Sequence, residues 1–417
     1  MLLTVTGGAC HLHRWKFKRK QTPMKITAVR ATPINVPLEA AYIWSYGALP
    51  GFTQTIIEIE TDEGLTGIGE APSAAAADVI NGRFAEALIG RDPLDITGCE
   101  LVCLPSTRGV QSVSELALTA TWGGVEMALW DLRGKVWNQP LYQLLGGAVR
   151  KEIAFTEYFA YRVSEGDRGG EASPEAVADY CARMKDEHGS TMFEGKVSDA
   201  NPKDAIRLAT AVRKAIGDDA LLRVDSNHAY TVGTARMLAP AFEELAVDCW
   251  EDPVGTYEDM ARLRPHTRLA FSSHNIDLPK IVGLGVPDNV VTNIAGHGGF
   301  TRTLKFIGAC EHFGLGFWCY SGDSGVATAA YMHLCASQSW ITKPNQSLLR
   351  MQPFDVIEEG PFRPRNNVVP VPEGPGLGVT LSKDKLRHLH QHYLDHGAMN
   401  KYANPANPGH YIRLPLV

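Results

Sequence analysis

Between residues 191 and 275, short apolar runs alternate with stretches whose apolar residues recur at helical spacing. The runs are residues 191–197, 221–227, 247–253 and 269–275. Between them, residues 205–216 carry Ile206, Leu208, Ala209, Val212 and Ala215, and residues 235–245 repeat the pattern. Strand, helix, strand at intervals of roughly 20 to 35 residues is the βαβ rhythm of a parallel sheet, and many such units in sequence predict a closed (β/α) barrel. Strands are expected at 155–161, 192–197, 221–227, 247–253, 268–273, 289–294 and 316–321. Where an eighth would fall, the chain turns at Pro353 and runs into the Pro/Gly-rich stretch 369–378, followed by a short helix over 384–396.

Ahead of the barrel the pattern changes. Alternation at Ile26, Ala28, Arg30, Thr32 and Ile34 predicts a strand, residues 54–61 its partner, and Asp62-Glu63-Gly64 a turn into a third strand over 65–70. A helix is expected over 116–136, with Ala117, Thr121, Val125, Ala128 and Leu132 on one face, and another over 141–146 that stops at Gly146. The connection 39–52 reads equally as a lid or as a packed surface loop. The division is thus 1–23 a disordered basic leader, 24–150 an α+β module, 151–375 the barrel, and 376–417 a C-terminal helix and tail packing back on the first module.

Length and composition narrow the function. The 417 residues suit a barrel plus a second module, and 40 basic against 46 acidic side chains leave a formal charge of −6, with no field for nucleic acid or an anionic membrane. The eight cysteines form no Cys-x-x-Cys pair and lie mostly in apolar runs, so they read as reduced core residues and favour the cytoplasm. No apolar run approaches the ~20 residues of a bilayer span. The basic residues Arg14 to Lys20 follow a short apolar stretch, the wrong order for a secretory signal.

Polar residues at the C-terminal ends of barrel strands face the mouth. Asp225, Glu251 and His274 therefore stand where they can converge on one ion, with Lys196 beside them, although each could instead cap the next helix or hydrogen-bond a neighbour.

These residues also carry a family resemblance. The stretches Thr66-Gly-Ile-Gly-Glu70, Asp225-Ser-Asn227, Trp250-Glu-Asp-Pro253, His297-Gly-Gly299, Gly314-Leu-Gly-Phe317 and 371–379, in this order, resemble the enolase superfamily and its mandelate racemase/glucarate dehydratase-like branch, from Met24 to about His396. The resemblance implies an α/β fold, a (β/α)7β modified TIM barrel under an N-terminal α+β capping domain. It implies Mg²⁺, with Mn²⁺ as the second candidate, held by Asp225, Glu251 and His274, with Asn275 the alternative one residue on. It also implies abstraction of a proton α to the carboxylate of a small-molecule acid sugar in a cytoplasmic homo-oligomer. Such a proton is very weakly acidic, so charge must be stabilised as it leaves.

Lys196 is the implied base, and it departs from the family's Lys-x-Lys in having Glu194 before it. A carboxylate there favours the ammonium form, which cannot accept a proton. The family's aspartate–histidine dyad is replaced by Asn293 and Tyr320. Lys196, Tyr320 and Glu194 are accordingly the catalytic candidates, and Asn227, Asn293 and His297 the substrate-binding ones. The expected activity is a dehydratase of a sugar acid or diacid, glucarate- or galactarate-like. A racemase or epimerase, or a non-catalytic metal-binding barrel, is the alternative.

Overall fold

The computed structural model describes residues 23–104, 113–320, 323–399 and 404. The basic leader, and the tail beyond Met399 apart from Asn404, lie outside the described residues.

Three antiparallel strands open the chain: β1 (Ile26–Trp44), β2 (Gly47–Thr61) and β3 (Thr66–Pro72), in the order β1-β2-β3. The helix Val113–Val136 lies across β3. Glycine makes that approach possible: a Cβ on Gly69 would stand 2.1 Å from the Gly124 carbonyl oxygen, and one on Gly124 would stand 2.6 Å from the Glu70 carbonyl. Ile57, Ile59, Val125 and Leu129 share the apolar core of this module. The connection 39–52 is a β-hairpin and not an irregular loop. β1 and β2 continue through it to a tight turn at Ser45-Tyr46, pairing Trp44 with Gly47, after a register shift between Pro37 and Tyr42. Composition there suggests a loop, but the β-favouring Tyr42, Ile43 and Trp44 keep the ladder going.

The barrel follows. Its strands are β5 (Glu157–Phe159), β6 (Met192–Lys196), β7 (Leu221–Asp225), β8 (Cys249–Glu251), β9 (Ala270–Ser273), β10 (Asn289–Thr292) and β11 (Gly316–Cys319), all parallel and paired in sequence order. A small pair of β4 (Glu152–Ala154) and β12 (Val368–Pro370) sits beside them. Helix starts obey local chemistry. Ser173, Asn201, Thr231, Thr256, Asp277 and Ser324 each accept a backbone N–H of the helix they precede. Alternation sends Leu222 and Val224 into the core shared with the helices. Arg223, between them, is buried with its guanidinium 4.1 Å from the Trp318 ring centroid.

The eighth barrel position comes earlier than the turn at Pro353. Asn345 N donates to Ala154 O (2.9 Å), Thr156 N donates to Asn345 O (2.8 Å), and Gln346 N donates to Cys319 O (2.9 Å), so residues 345–346 join β11 to the segment 154–156 that leads into β5. Both side chains are polar and buried, and for that reason hydrophobic patterning passes over them.

The helix Lys383–His396 packs on β1, where Asn35 Nδ2 donates to Gly397 O (3.0 Å) and His390 Nδ1 meets Pro33 O (2.6 Å). All seven described cysteines are buried and free. Among the described residues no helix is long and apolar enough to cross a membrane.

Candidate active site

Strand register builds the site. Lys196 pairs with Asp225 across β6 and β7, Asp225 with Glu251 across β7 and β8, and Glu251 with Ser272 across β8 and β9. Neighbouring strands run ~4.8 Å apart, so one row across the barrel mouth holds an amine and two carboxylates. The Lys196 ammonium forms an ion pair with Asp225. Asp225 also accepts from Asn227 N (2.8 Å) and Asn227 Nδ2 (3.2 Å).

Three carboxylates form the cluster best suited to a cation. Oxygens of Asp225, Glu251 and Asp252 lie within 4.8 Å of one another, all on buried residues. Burial, and then the Asp225 charge, push Glu251 up to about 8, and its Oε2 meets no protein donor. Such a group is stabilised by positive charge, and an all-oxygen donor set suits Mg²⁺. Asp252 follows β8 with a left-handed backbone (φ 41°) and is shared between this group and a second one with His228 and His274; His274 lines the cavity described below and Asp252 does not. His274 Nδ1 is 2.6 Å from Asp252 and 3.6 Å from Glu251. Burial opposes its charge, but these two carboxylates outweigh burial and hold the ring protonated well above the usual range. Asn275, the alternative, has its amide 3.4 Å from His228 Nε2 and does not line the cavity.

Glu194 does not pair with Lys196. It is fully buried, accepts from Gln346 Nε2 (3.1 Å) and Thr156 Oγ1 (3.2 Å), and lies 3.5 Å from Arg223 Nη1. It is also absent from the lining of the cavity, a space of about 320 Å³ walled by Lys196, Asp225, Asn227, Glu251, His274, Asn293 and Tyr320. Asn293 Nδ2 donates to the Tyr320 hydroxyl (3.0 Å). Burial, then the charges of Asp323 and Glu251, push that phenol upward, so it keeps its proton. His297 is elsewhere. Its ring packs on Phe306 (centroids 4.5 Å apart), and burial with Arg302 nearby lowers it to about 4.

Four participants escape the sequence reading. Asp252 and His228 adjoin residues singled out there, both take left-handed backbone conformations (φ 41° and 60°), and both group with His274. Gln54 and Asp323 meet from the two domains, Gln54 Nε2 donating to Asp323 Oδ1 (2.6 Å), and no local signal marks such a pair.

A barrel with a lysine and clustered carboxylates at its mouth, closed by an antiparallel hairpin, defines an enzyme of the enolase type. Sequence comparison agrees: residues 176–385 match the enolase C-terminal domain-like family, and residues 26–146 match the mandelate racemase / muconate lactonizing enzyme N-terminal domain. The chain belongs to the enolase superfamily. It is similar to a probable glucarate dehydratase of Streptomyces coelicolor (28% identity, 89% of this chain and 92% of that protein). A cis-3-hydroxy-L-proline dehydratase of Roseibium aggregatum is 32% identical over 87% of this chain and 98% of its own. Other relatives are racemases and cycloisomerases. An enolase of Pseudomonas fluorescens Pf0-1, solved with bound magnesium, potassium and tartrate, superposes with a TM-score of 0.83 at 26% identity, over 91% of this chain and 95% of that one.

Proposed function

We propose that this enzyme is a Mg²⁺-dependent dehydratase of a sugar acid. The observation that carries the reading is the row Lys196–Asp225–Glu251 across three adjacent strands, with the Tyr320 hydroxyl in the same cavity. Asp225, Glu251 and Asp252 would hold the cation. Bound there, it would offset negative charge developing on the substrate carboxylate. Lys196 Nζ takes the α proton, and the C–H electron pair moves into the carboxylate. As that pair returns, the β C–O bond breaks and the departing oxygen takes the Tyr320 proton, leaving as water. The enol product tautomerises to a 2-keto-3-deoxy acid. Asn293 orients the Tyr320 hydroxyl, and Asn227 fixes Asp225.

The test is incubation of the purified enzyme and Mg²⁺ with a panel of acid sugars, scoring 2-keto acid as its semicarbazone. A sugar acid consumed with keto-acid release supports the reading, whereas interconversion of epimers without keto acid replaces it. One observation favours that second reading: Asp323 lines the cavity and burial raises it to about 6, giving a second titratable group.

A further inference from the structure

We infer that Trp44, at the tip of the capping hairpin, is a positioning residue for Lys196: its ring and that of Tyr158 hold the lysine ammonium beside Asp225, so the first domain supplies one wall of the proton-abstracting site. This rests on the dehydratase reading, in which Lys196 takes the α proton.

A lysine ammonium sits on a long, flexible stem, and an ion pair with one carboxylate leaves it room to swing. Lys196 has more than that pair. Its Nζ stands over the Trp44 ring, 5.4 Å from the centroid, and over the Tyr158 ring at 5.9 Å, both inside the roughly 6 Å reach of a cation–π contact. The two rings come from different domains. Tyr158 lies on β5, the strand next to the one that carries Lys196, and is buried. Trp44 ends β1, where it pairs with Gly47 across the turn.

Both rings are held in place. Tyr42 packs against each, its centroid 6.1 Å from that of Tyr158 and 6.4 Å from that of Trp44, and the Tyr46 ring meets Trp44 edge-on at 4.8 Å. Backbone bonds pin this end of β1 to the barrel, Ile43 N to Tyr161 O (2.8 Å) and Val163 N to Ala41 O (2.8 Å). One residue past Trp44, the Ser45 hydroxyl donates to Asn227 O (3.2 Å), and Asn227 is the residue whose backbone and side-chain N–H groups bond Asp225. The tip therefore reaches both halves of the ion pair, the ammonium through a ring and the carboxylate through Asn227. An aromatic face suits this task, because it attracts the ammonium without tying it by a second strong hydrogen bond.

The test compares Trp44→Leu, which keeps apolar bulk and loses the ring face, with Trp44→Phe, which keeps a face. α-Proton exchange in D₂O and Mg²⁺ is followed on D-gluconate, D-galactonate, D-glucarate and galactarate, at the plateau of each variant's pH–rate profile, where the amine is free in every variant. On the acid that the parent exchanges fastest, Trp44→Leu should lose about tenfold in maximal rate and Trp44→Phe about threefold or less, with KM changed less than the rate in both. A second readout needs no substrate. Ring currents should place the proton signal of the Lys196 ε-methylene, assigned by its disappearance in Lys196→Ala, upfield of the other lysines in the parent, and Trp44→Leu should return it toward them. A parent-like rate in Trp44→Leu, equal losses in the two variants, or a Lys196 signal among those of the other lysines in the parent overturns the inference and leaves the dehydratase reading standing. No exchange by the parent on any of the four acids, or undiminished exchange in Lys196→Ala, overturns both.

Discussion

Lys196 and Asp225 are register partners on adjacent strands, and their side chains form an ion pair at the floor of the cavity. Lys196 is thus fixed by Asp225, the residue proposed to serve a cation as well, and not by Glu194. It follows that removing the amine removes proton abstraction. In D₂O the parent enzyme should incorporate deuterium at the α carbon of recovered acid. Lys196→Ala should lose this exchange and turnover together, by roughly the 10²–10⁴-fold of a positioned base or more. Exchange surviving in Lys196→Ala would assign the base elsewhere, with Asp323 next in line.

In the proposed reaction the hydroxyl of Tyr320 acts in the second half only. Tyr320→Phe keeps the ring and should leave α-proton exchange near the parent rate while slowing keto-acid formation by roughly 10²–10⁴-fold. Equal losses in both measurements would mean that the ring or its Asn293 bond shapes the whole site.

Metal dependence separates the two clusters. Asp225→Ala, Glu251→Ala and Asp252→Ala should each abolish the rise in Tm produced by millimolar Mg²⁺, whereas His274→Ala should retain most of it. Loss of the Mg²⁺ shift in His274→Ala at unchanged shift in Asp252→Ala would make the histidine the ligand. Asp252→Ala is also the harshest of the four for apo stability, since it leaves His228 (3.4 Å) and His274 without their shared partner.

Much of this site was legible in the sequence because strand ends repeat. Apolar runs closing on Lys196, Asp225 and Glu251 announce βαβ units, and the rule that strand ends face the barrel mouth brings them together. Alternation and helical spacing announce the α+β module ahead of the barrel; resemblance supplied its capping role and the kind of reaction. Three things escaped. Hydrophobic patterning cannot see a closing segment made of Asn345 and Gln346. Composition cannot see that Tyr42 to Phe52 extend a hairpin, because Gly47, Pro50 and Gly51 read as loop. Nor can an ungapped match show that Asp252, left-handed after β8, is shared between the carboxylate group and the His228–His274 group. Each miss is a case of tertiary context overriding a local signal.

Glu194 is bound up with Arg223, and this makes a stability prediction. Arg223 is fully buried, lying on Trp318, donating to Pro344 O (2.9 Å) and standing 3.5 Å from Glu194. Arg223→Ala strands a buried carboxylate and should cost about 3–5 kcal/mol in urea unfolding. Adding Glu194→Gln should restore part of that loss, because burial already raises Glu194 toward its neutral form. Strict additivity of the two substitutions would show that the side chains do not interact.

The last prediction concerns pH, and it centres on Glu70 beneath the hairpin. Burial, then the Asp323 charge, raise this carboxyl from the usual 4.5 to about 8, although Ser324 N (3.0 Å), Ser324 Oγ (2.5 Å) and Ala327 N (3.2 Å) all donate to it. Between those two values the folded chain keeps a proton that the unfolded chain releases. Stability contributed by Glu70 is therefore complete below about pH 4.5, declines as pH rises toward 8, and levels off above that. Asp323, raised to about 6 by burial, adds a decline in the lower part of the same window. Glu70→Gln cannot ionise, so its urea midpoint should vary less between pH 5 and 8 than the parent's. Its amide nitrogen cannot accept the bonds made at one oxygen, so the variant should also start lower, by about 1–3 kcal/mol. A lower but flatter profile is the expected signature. Parallel profiles for parent and variant would show that Glu70 is ionised throughout, and that its three donors outweigh its burial.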